Sequence, residues 1–364
     1  MKVTDIKFDC LHFKGEIPCK PNKLRGKICA DCDEYTPVSK RILIIKLGAI
    51  GDVIRTTPLV VRFRKMYPGC HITWITHSPD ILPAAKIDRI LKWDTQAWII
   101  TTHQKYDIAI NLDKEYEACA LLADTHASEK YGFTLSDHHI AAATSAAEHK
   151  LITGLYDSCS KENRKSYLEE IFEICHLSFD HEEYLMDVNS DFDQKWKSIL
   201  ENNSQGKKII GLNTGCGARW LTRLWPEEYW IGLIKKLQES GYYPVVLGGP
   251  DEHEQNLKYA KLTHCYYPGK YSLQEFIAIS NNTDIIVTAV SMMMHIATAL
   301  KKPMILFVNI FNPHEFELYG RGEIVIPPTG CDCYYGNSCS RQRHCMKDIS
   351  VEMVFERIEK YLQR

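Results

Sequence analysis

The chain has 364 residues, 45% of them hydrophobic and 25% charged, and a formal net charge of −2. That length favours two domains with a sizeable core, and the near-neutral balance excludes the strongly basic footprint of a nucleic-acid binder. No apolar run reaches the roughly 18 residues of a membrane-spanning helix, and the start, Met1-Lys2-Val3-Thr4-Asp5, lacks the apolar core of a secretory signal, so a cytoplasmic location is expected.

Residues 1–38 are polar and turn-rich, and read as a cysteine-rich extension without regular elements. Residues 41–46 are a short apolar run suited to a buried parallel strand. The loop Leu47-Gly48-Ala49-Ile50-Gly51 follows. From Asp52, apolar residues recur at helical spacing (Val53, Ile54, Leu59, Val60, Phe63) up to the stop signal Tyr67-Pro68-Gly69, which predicts one helix. Residues 71–76 and 108–112 read as further strands. The pattern restarts with a strand at 208–213, a helix at 226–239 and a strand at 243–247 that runs into Gly248-Gly249-Pro250. A strand at 284–288, a helix through His295 and a strand at 304–307 complete it, and residues 351–362 form an amphipathic helix. Strands alternating with helices predict an α/β chain with two Rossmann-like, doubly wound parallel-sheet domains. Their expected bounds are 39–195 and 206–345, the second carrying a cysteine-rich segment at 331–345, with 346–364 as a closing helix. Such sheets bind ligands beyond the carboxyl ends of their strands, here in a cleft between the domains.

These landmarks, in this order, resemble glycosyltransferase family 9, the lipopolysaccharide heptosyltransferases, over residues 41–330. The motifs that carry the resemblance are Ile44-Ile45-Lys46-Leu47-Gly48-Ala49-Ile50-Gly51-Asp52-Val53, then Asn213-Thr214-Gly215 with Arg223-Leu224-Trp225-Pro226-Glu227. Gly248-Gly249-Pro250-Asp251-Glu252, Gly269-Lys270-Tyr271-Ser272-Leu273 and Ser291-Met292-Met293-Met294-His295 follow. The resemblance implies a GT-B fold and an inverting transfer without a catalytic metal. It implies ADP-heptose as donor and a lipopolysaccharide or other surface-glycan acceptor. It also implies that the final helix returns to pack on the first domain. The acceptor class leaves room for peripheral contact with the inner membrane face.

Inverting transfer needs a base for the acceptor hydroxyl and groups that stabilise the departing diphosphate. Asp52 is the candidate base, at the carboxyl end of the first strand and near a helix start, where an acid also serves as a first-turn or capping residue. Lys46 and the Gly48–Gly51 loop are placed on the acceptor or phosphate side, the glycines letting backbone approach an anion. Asn213, Thr214 and Gly215 end a strand where a hydroxyl and amides meet phosphate. Arg223 offers its fork of donors to the leaving diphosphate. Gly248 and Gly249 turn the chain toward Glu252, a candidate acceptor of ribose hydroxyl hydrogen bonds. Ser291 and Met292 belong to the last motif, and His295 is a further binding candidate, although a lone histidine on an apolar helix is commonly a core residue. The family's acid just before this motif is replaced by Val290, which keeps open another nucleotide sugar, or recognition through Glu315 or Glu317. A protein acceptor, and an inactive nucleotide-sugar-binding scaffold, are the other readings. A Rossmann redox protein would need G-x-G-x-x-G after the first strand, which is not there.

Fourteen cysteines are many for a reducing compartment. Cys10, Cys19, Cys29 and Cys32 form C-x8-C-x9-C-x2-C, and Cys331, Cys333, Cys339 and Cys345 form C-x-C-x5-C-x5-C. Each set has the thiolates for a closed structural Zn or Fe site. The resemblance adds that some family members that modify autotransporter proteins hold iron through cysteines near the C-terminus.

Overall fold

Eleven strands in the computed structural model, which describes residues 2–363, build two sheets. Met1 and Arg364, the outermost residues of the expected terminal segments, lie outside the described residues. The first sheet comprises β1 (Arg41–Ile45), β2 (His71–Thr76), β3 (Arg89–Lys92), β4 (Lys105–Asn111), β5 (His126–Ser136) and β6 (His139–Ala142). Its order is β3-β2-β1-β4-β5-β6, parallel except for the terminal β5–β6 hairpin. The second comprises β7 (Ile209–Asn213), β8 (Tyr243–Leu247), β9 (Ile285–Ala289), β10 (Met304–Phe307) and β11 (Gly322–Val325), all parallel in the order β11-β10-β9-β7-β8. The central strands are buried on both faces. Ile42–Ile45 of β1 are completely so, and every residue of β7 and β9 is buried. That is why they are continuous apolar runs rather than alternating ones. In both sheets the order reverses beside the first strand of the unit, at β1/β4 and at β7/β9, which makes the carboxyl ends there the switch points of doubly wound sheets.

The helix expected from Asp52 to Tyr67 is two helices, Ile50–Thr56 and Pro58–Met66. Thr57 keeps helical dihedrals (φ −58°, ψ −24°), but proline has no N–H to donate to the preceding turn, so the hydrogen-bond ladder breaks there and restarts with Pro58 as a first helical residue.

The chain divides into two units whose bounds differ from those read in the sequence. The first holds the residues through Ala49, Thr56–Leu151 and Ile171–Glu183; the second holds Ile50–Arg55, Ile152–Glu170 and everything from Tyr184 on. The final helix, Val351–Leu362, belongs to the second unit, which corrects the expected return to the first. Its Ser350 cap accepts the Met353 N–H, and Val354, Phe355 and Ile358 enter one core with Trp225, Trp230, Leu233, Ile234 and Phe307. Trp225 Nε1 donates to Ile349 O at 2.9 Å, pinning the approach to that helix. The stripe of the final helix is therefore spent on its own unit's sheet and on the helix Glu227–Glu239.

The amino-terminal extension belongs to the first unit. It has one six-residue helix, Lys20–Arg25, capped by Cys19, and is tied to itself by Leu11 N–H to Thr36 O (2.8 Å) and Val38 N–H to Asp9 O (2.7 Å). Phe8, Ile17, Leu24 and Ile28 are exposed, so this segment has no apolar core of its own. Among the described residues, no helix is long and apolar enough to cross a membrane.

Candidate active site

At the switch point of the second sheet, the carboxyl ends of β7, β8 and β9 surround a cavity of about 470 Å³. Asn213, Gly215, Gly248, Gly249, Glu252, Ser291 and Met292, all candidates from the sequence, line it. Asn213 Nδ2 donates to Gly215 O (2.9 Å) and Thr288 Oγ1 (3.0 Å), so this side chain braces the loop rather than facing outward. Glu252 folds back to accept the Gly249 N–H at 2.8 Å. Its carboxylate lies so close to Gly215 that a Cβ there would stand 2.0 Å from Oε1, so a side chain at 215 would push the Glu252 carboxylate out of this position. Ser291 caps the helix Met292–Ala299 without a side-chain bond to its first turn; the Met294 N–H goes to Ser291 O at 3.2 Å, and the helix start presents Met292 and Met293 to the cavity, where main-chain amides can meet an anion. Tyr271 and Phe276, stacked at 5.8 Å, supply an apolar wall. The sequence pointed to neither ring, although Tyr271 stands inside the motif Gly269–Leu273.

Three candidates are placed otherwise. Thr214 Oγ1 donates to Asn256 Oδ1 at 2.6 Å and is not part of the cavity wall. Arg223, expected to meet a diphosphate, is buried and spends its guanidinium on main-chain carbonyls of Trp220 (3.1 Å), Cys216 and Val290. A guanidinium without water must satisfy its donors, and these loop carbonyls are what lies in reach. Lys46, in the first unit, is buried between Gly48 O (2.6 Å) and the Asp113 carboxylate, which also accepts the Leu47 N–H. Burial pushes the Asp113 carboxyl up while Lys46 pulls it down. Nor does space alone demand glycine at Gly48: a Cβ there would meet His77 at an ordinary 4.0 Å.

Asp52 lies in the first turn of the helix Ile50–Thr56, two residues after Ile50, which lines the cavity. Its side chain is 34% exposed, and Arg55 Nη2 stands 2.8 Å from its Oδ1. Arg55 was not singled out in the sequence, although its spacing of three from an acid on a helix was a signal. It also meets Glu315 at 2.7 Å and lies 3.5 Å over the Tyr167 ring. Glu315 is thus engaged with Arg55, while Glu317 accepts the Tyr319 N–H at 2.5 Å. His295 is buried, with Tyr184 stacked at 6.3 Å, and a Cβ at Gly51 would stand 2.5 Å from its ring. Gly51 therefore serves the close packing of this ring, a different role from the anion approach expected for it.

Burial first, then the Arg55 charge, hold His295 at about 3, with Asp52 opposing. Its folded value is below its unfolded one, so the unfolded chain takes the proton first. The stability it contributes is complete above about pH 6.5 and declines toward pH 3. Urea unfolding of wild type and His295→Gln at pH 7 and pH 5 is expected to show wild type losing about 2 kcal/mol more than the variant. Equal losses would mean that the imidazole is not held neutral.

The cysteine sets each gather within one unit. Cys10, Cys19, Cys29 and Cys32 line one cavity of about 260 Å³. Cys331 neighbours Cys345, Cys333 neighbours Cys339, and the Cys333 N–H donates to Cys331 Sγ at 3.4 Å. All are free thiols, and among the described residues no three His, Cys, Asp or Glu side chains are already drawn into a coordination sphere.

A family model described as "Glycosyltransferase family 9 (heptosyltransferase)" matches residues 101–331. Lipopolysaccharide heptosyltransferase 1 of Escherichia coli O18:K1:H7 (strain RS218 / NMEC) is 22% identical over 328 residues, which cover 80% of this chain and 92% of that protein. Among solved structures, the family 9 glycosyl transferase from Veillonella parvula DSM 2008 aligns with a TM-score of 0.67 at 19% identity, over 90% of this chain and 98% of that one. E. coli heptosyltransferase WaaC with ADP-2-deoxy-2-fluoro heptose aligns with a TM-score of 0.58 at 18% identity, over 88% and 99%. These likenesses establish the fold as GT-B.

Proposed function

The chain belongs to glycosyltransferase family 9, and from that premise we propose that it moves heptose from ADP-heptose, with inversion, onto a hydroxyl of a lipopolysaccharide or other surface-glycan acceptor. The observation that carries this reading is the second-unit cavity, whose wall includes the first residue of the helix bearing Asp52. In this scheme adenine rests on the Tyr271 and Phe276 side and ribose hydroxyls donate to Glu252. The diphosphate meets the Gly215 loop and the start of the helix Met292–Ala299. Asp52 takes the acceptor's proton as the new bond to the anomeric carbon forms and the bond from that carbon to the diphosphate oxygen breaks. Charge develops on the departing ADP, where helix amides stabilise it. With Arg223 and Lys46 engaged elsewhere, main-chain amides take the role first given to those cations. The heptosyltransferase WaaC has been solved with an ADP-heptose analogue, which supports this donor. The absent acid at Val290 favours keeping other nucleotide sugars in the test. Nucleotide-sugar chemistry suits a cytoplasmic enzyme working at the inner membrane face.

Calorimetric titration with ADP-heptose, UDP- and GDP-sugars and the bare nucleotides tests the donor. ADP-heptose binding in the micromolar range, displaced by ADP, is the expected result. Preference for a UDP- or GDP-sugar would reassign the donor, and no binding would remove the cavity as a nucleotide site.

The gathered thiols support a second proposal, a structural Zn or Fe held by each cysteine set. Four thiolates per ion fill a tetrahedral site and leave no position for chemistry. Elemental analysis of the purified protein should find about two ions per chain, with one lost in Cys29→Ser/Cys32→Ser and one in Cys331→Ser/Cys333→Ser. Metal-free protein with fourteen titratable thiols would refute it.

A further inference from the structure

The guanidinium of Arg55 carries two carboxylates. Nη2 meets Asp52 Oδ1 at 2.8 Å and Nη1 meets Glu315 Oε1 at 2.7 Å. The side chain is 12% exposed, and the Tyr167 ring lies 3.5 Å beneath it. Glu315 is in turn 17% exposed, and its other oxygen is 3.5 Å from the Tyr335 hydroxyl. Tyr335 comes from the cysteine-rich segment, between Cys333 and Cys339. Its N–H donates to Ile310 O at 3.0 Å, and its ring packs edge-on against Phe311 (5.0 Å) and Trp220 (5.7 Å).

We propose that Arg55 and Glu315, backed by Tyr335, form a positioning device for Asp52, and that the cysteine-rich segment is thereby part of the catalytic apparatus. This rests on Asp52 being the base in the reading above. The device has two physical functions. A planar guanidinium fixes its two acids relative to each other, because its nitrogens cannot move independently; a lysine ammonium imposes no such geometry. Two acids on one cation also leave the cluster with a net negative charge. Asp52 therefore meets the acceptor hydroxyl as a carboxylate that its neighbour has not fully neutralised. Glu315 is what divides the cation's pull, and the Tyr335 hydroxyl borders its other oxygen at 3.5 Å. Arg55 and Glu315 touch no reacting atom in this scheme, so both are positioning residues.

ADP release from ADP-heptose is measured for wild type, Arg55→Lys, Arg55→Gln, Glu315→Gln and Tyr335→Phe, with ADP affinity determined alongside. Both Arg55 variants should lose about 100-fold in kcat, the order expected for a misplaced reacting group. Glu315→Gln should lose about 10-fold and Tyr335→Phe less, and ADP affinity should stay within about twofold of wild type in all four. Asp52→Asn/Arg55→Gln should be no slower than Asp52→Asn alone, since a positioning residue has nothing left to position. Full rescue by Arg55→Lys, or deficits that multiply in the double variant, would overturn the proposal. Crystal structures of wild type and Arg55→Gln give a readout independent of the donor. An Asp52 carboxylate that turns away in the variant supports the device, and one that keeps its place refutes it. Wild type inert toward ADP-heptose would sink the donor assignment, while those two structures would still decide the role of Arg55.

Discussion

Asp52→Asn is expected to lower the rate of transfer by about 10²–10⁴-fold, the usual contribution of a positioned base, while ADP affinity stays near that of wild type. Asp52 is a first-turn acid in the structure and the base in the proposed mechanism, and this variant separates the two roles. Asp52 sits in the first turn of its helix and pairs with Arg55 three residues on, at 34% exposure. As a purely structural acid it would contribute through the helix dipole, about 0.3–1 kcal/mol, and through a short-range pair of about 0.2–0.5 kcal/mol. Asparagine keeps the shape and an acceptor oxygen for Arg55, so that contribution is largely retained and the thermal midpoint should move by only a few degrees. What asparagine cannot do is take a proton. A large fall in kcat with an unshifted midpoint therefore identifies a base. Turnover within threefold of wild type would return Asp52 to the ordinary role of a first-turn acid. The neighbouring Gly51 provides a contrast. Gly51→Ala would force the His295 ring away from a Cβ at 2.5 Å and disturb the same helix by packing, so its loss should appear in the midpoint as well as in kcat.

The parts of the fold legible in the sequence are those buried on both faces. β1, β7, β8 and β9 each announce themselves as short apolar runs bounded by glycine or turn residues, since nothing along them needs to face water. β3, β6 and β11 escape the same reading. They are four residues long, mostly half-exposed, and carry Arg89 and Lys92, His139, and Glu323 within the strand. β10 is equally short but buried throughout, so it stays an apolar run, whereas these three carry polar residues that hide one. The cavity was legible for a related reason. β7 and β8 run into glycines that leave their carboxyl ends open, and Gly215, Gly248, Gly249 and Glu252 come from those ends, while Ser291 follows β9 at the start of the next helix. Charge is legible, but its direction is not. Lys46 and Arg223 stand in the motif positions where a phosphate-binding cation was expected, yet both turn inward to carbonyls and to Asp113. The partner that decides such a matter is remote: Glu315 is 260 residues from Arg55, and Asp113 is 67 from Lys46. No periodicity or spacing rule reaches across those separations, and only the packed fold reveals them.

Removing one member of the Lys46–Asp113 pair is expected to cost more stability than Asp52→Asn or Gly51→Ala. The two side chains are 5% and 3% exposed. A buried pair of this kind contributes little against two apolar residues of the same size, because both ions forfeit their hydration; the upward push of burial on Asp113 shows that penalty at work. Deleting one partner is a different matter, since the survivor keeps its charge and loses its counterion. Asp113→Ala and Lys46→Met should each lower unfolding stability by about 3–5 kcal/mol, whereas Lys46→Met/Asp113→Leu should recover most of that loss. The pair also ties the loop after β1, through the Leu47 N–H on Asp113 and Lys46 on Gly48 O, so the double variant should fold yet hold this loop less firmly. Urea unfolding of the three variants decides the matter, with nucleotide titration as the control. If Lys46→Met unfolds like wild type but binds nucleotide tenfold more weakly, Lys46 reaches ligand as the motif suggested. If it unfolds early and the double variant does not, Lys46 is the counterion of a buried acid and the phosphate must be met by backbone amides.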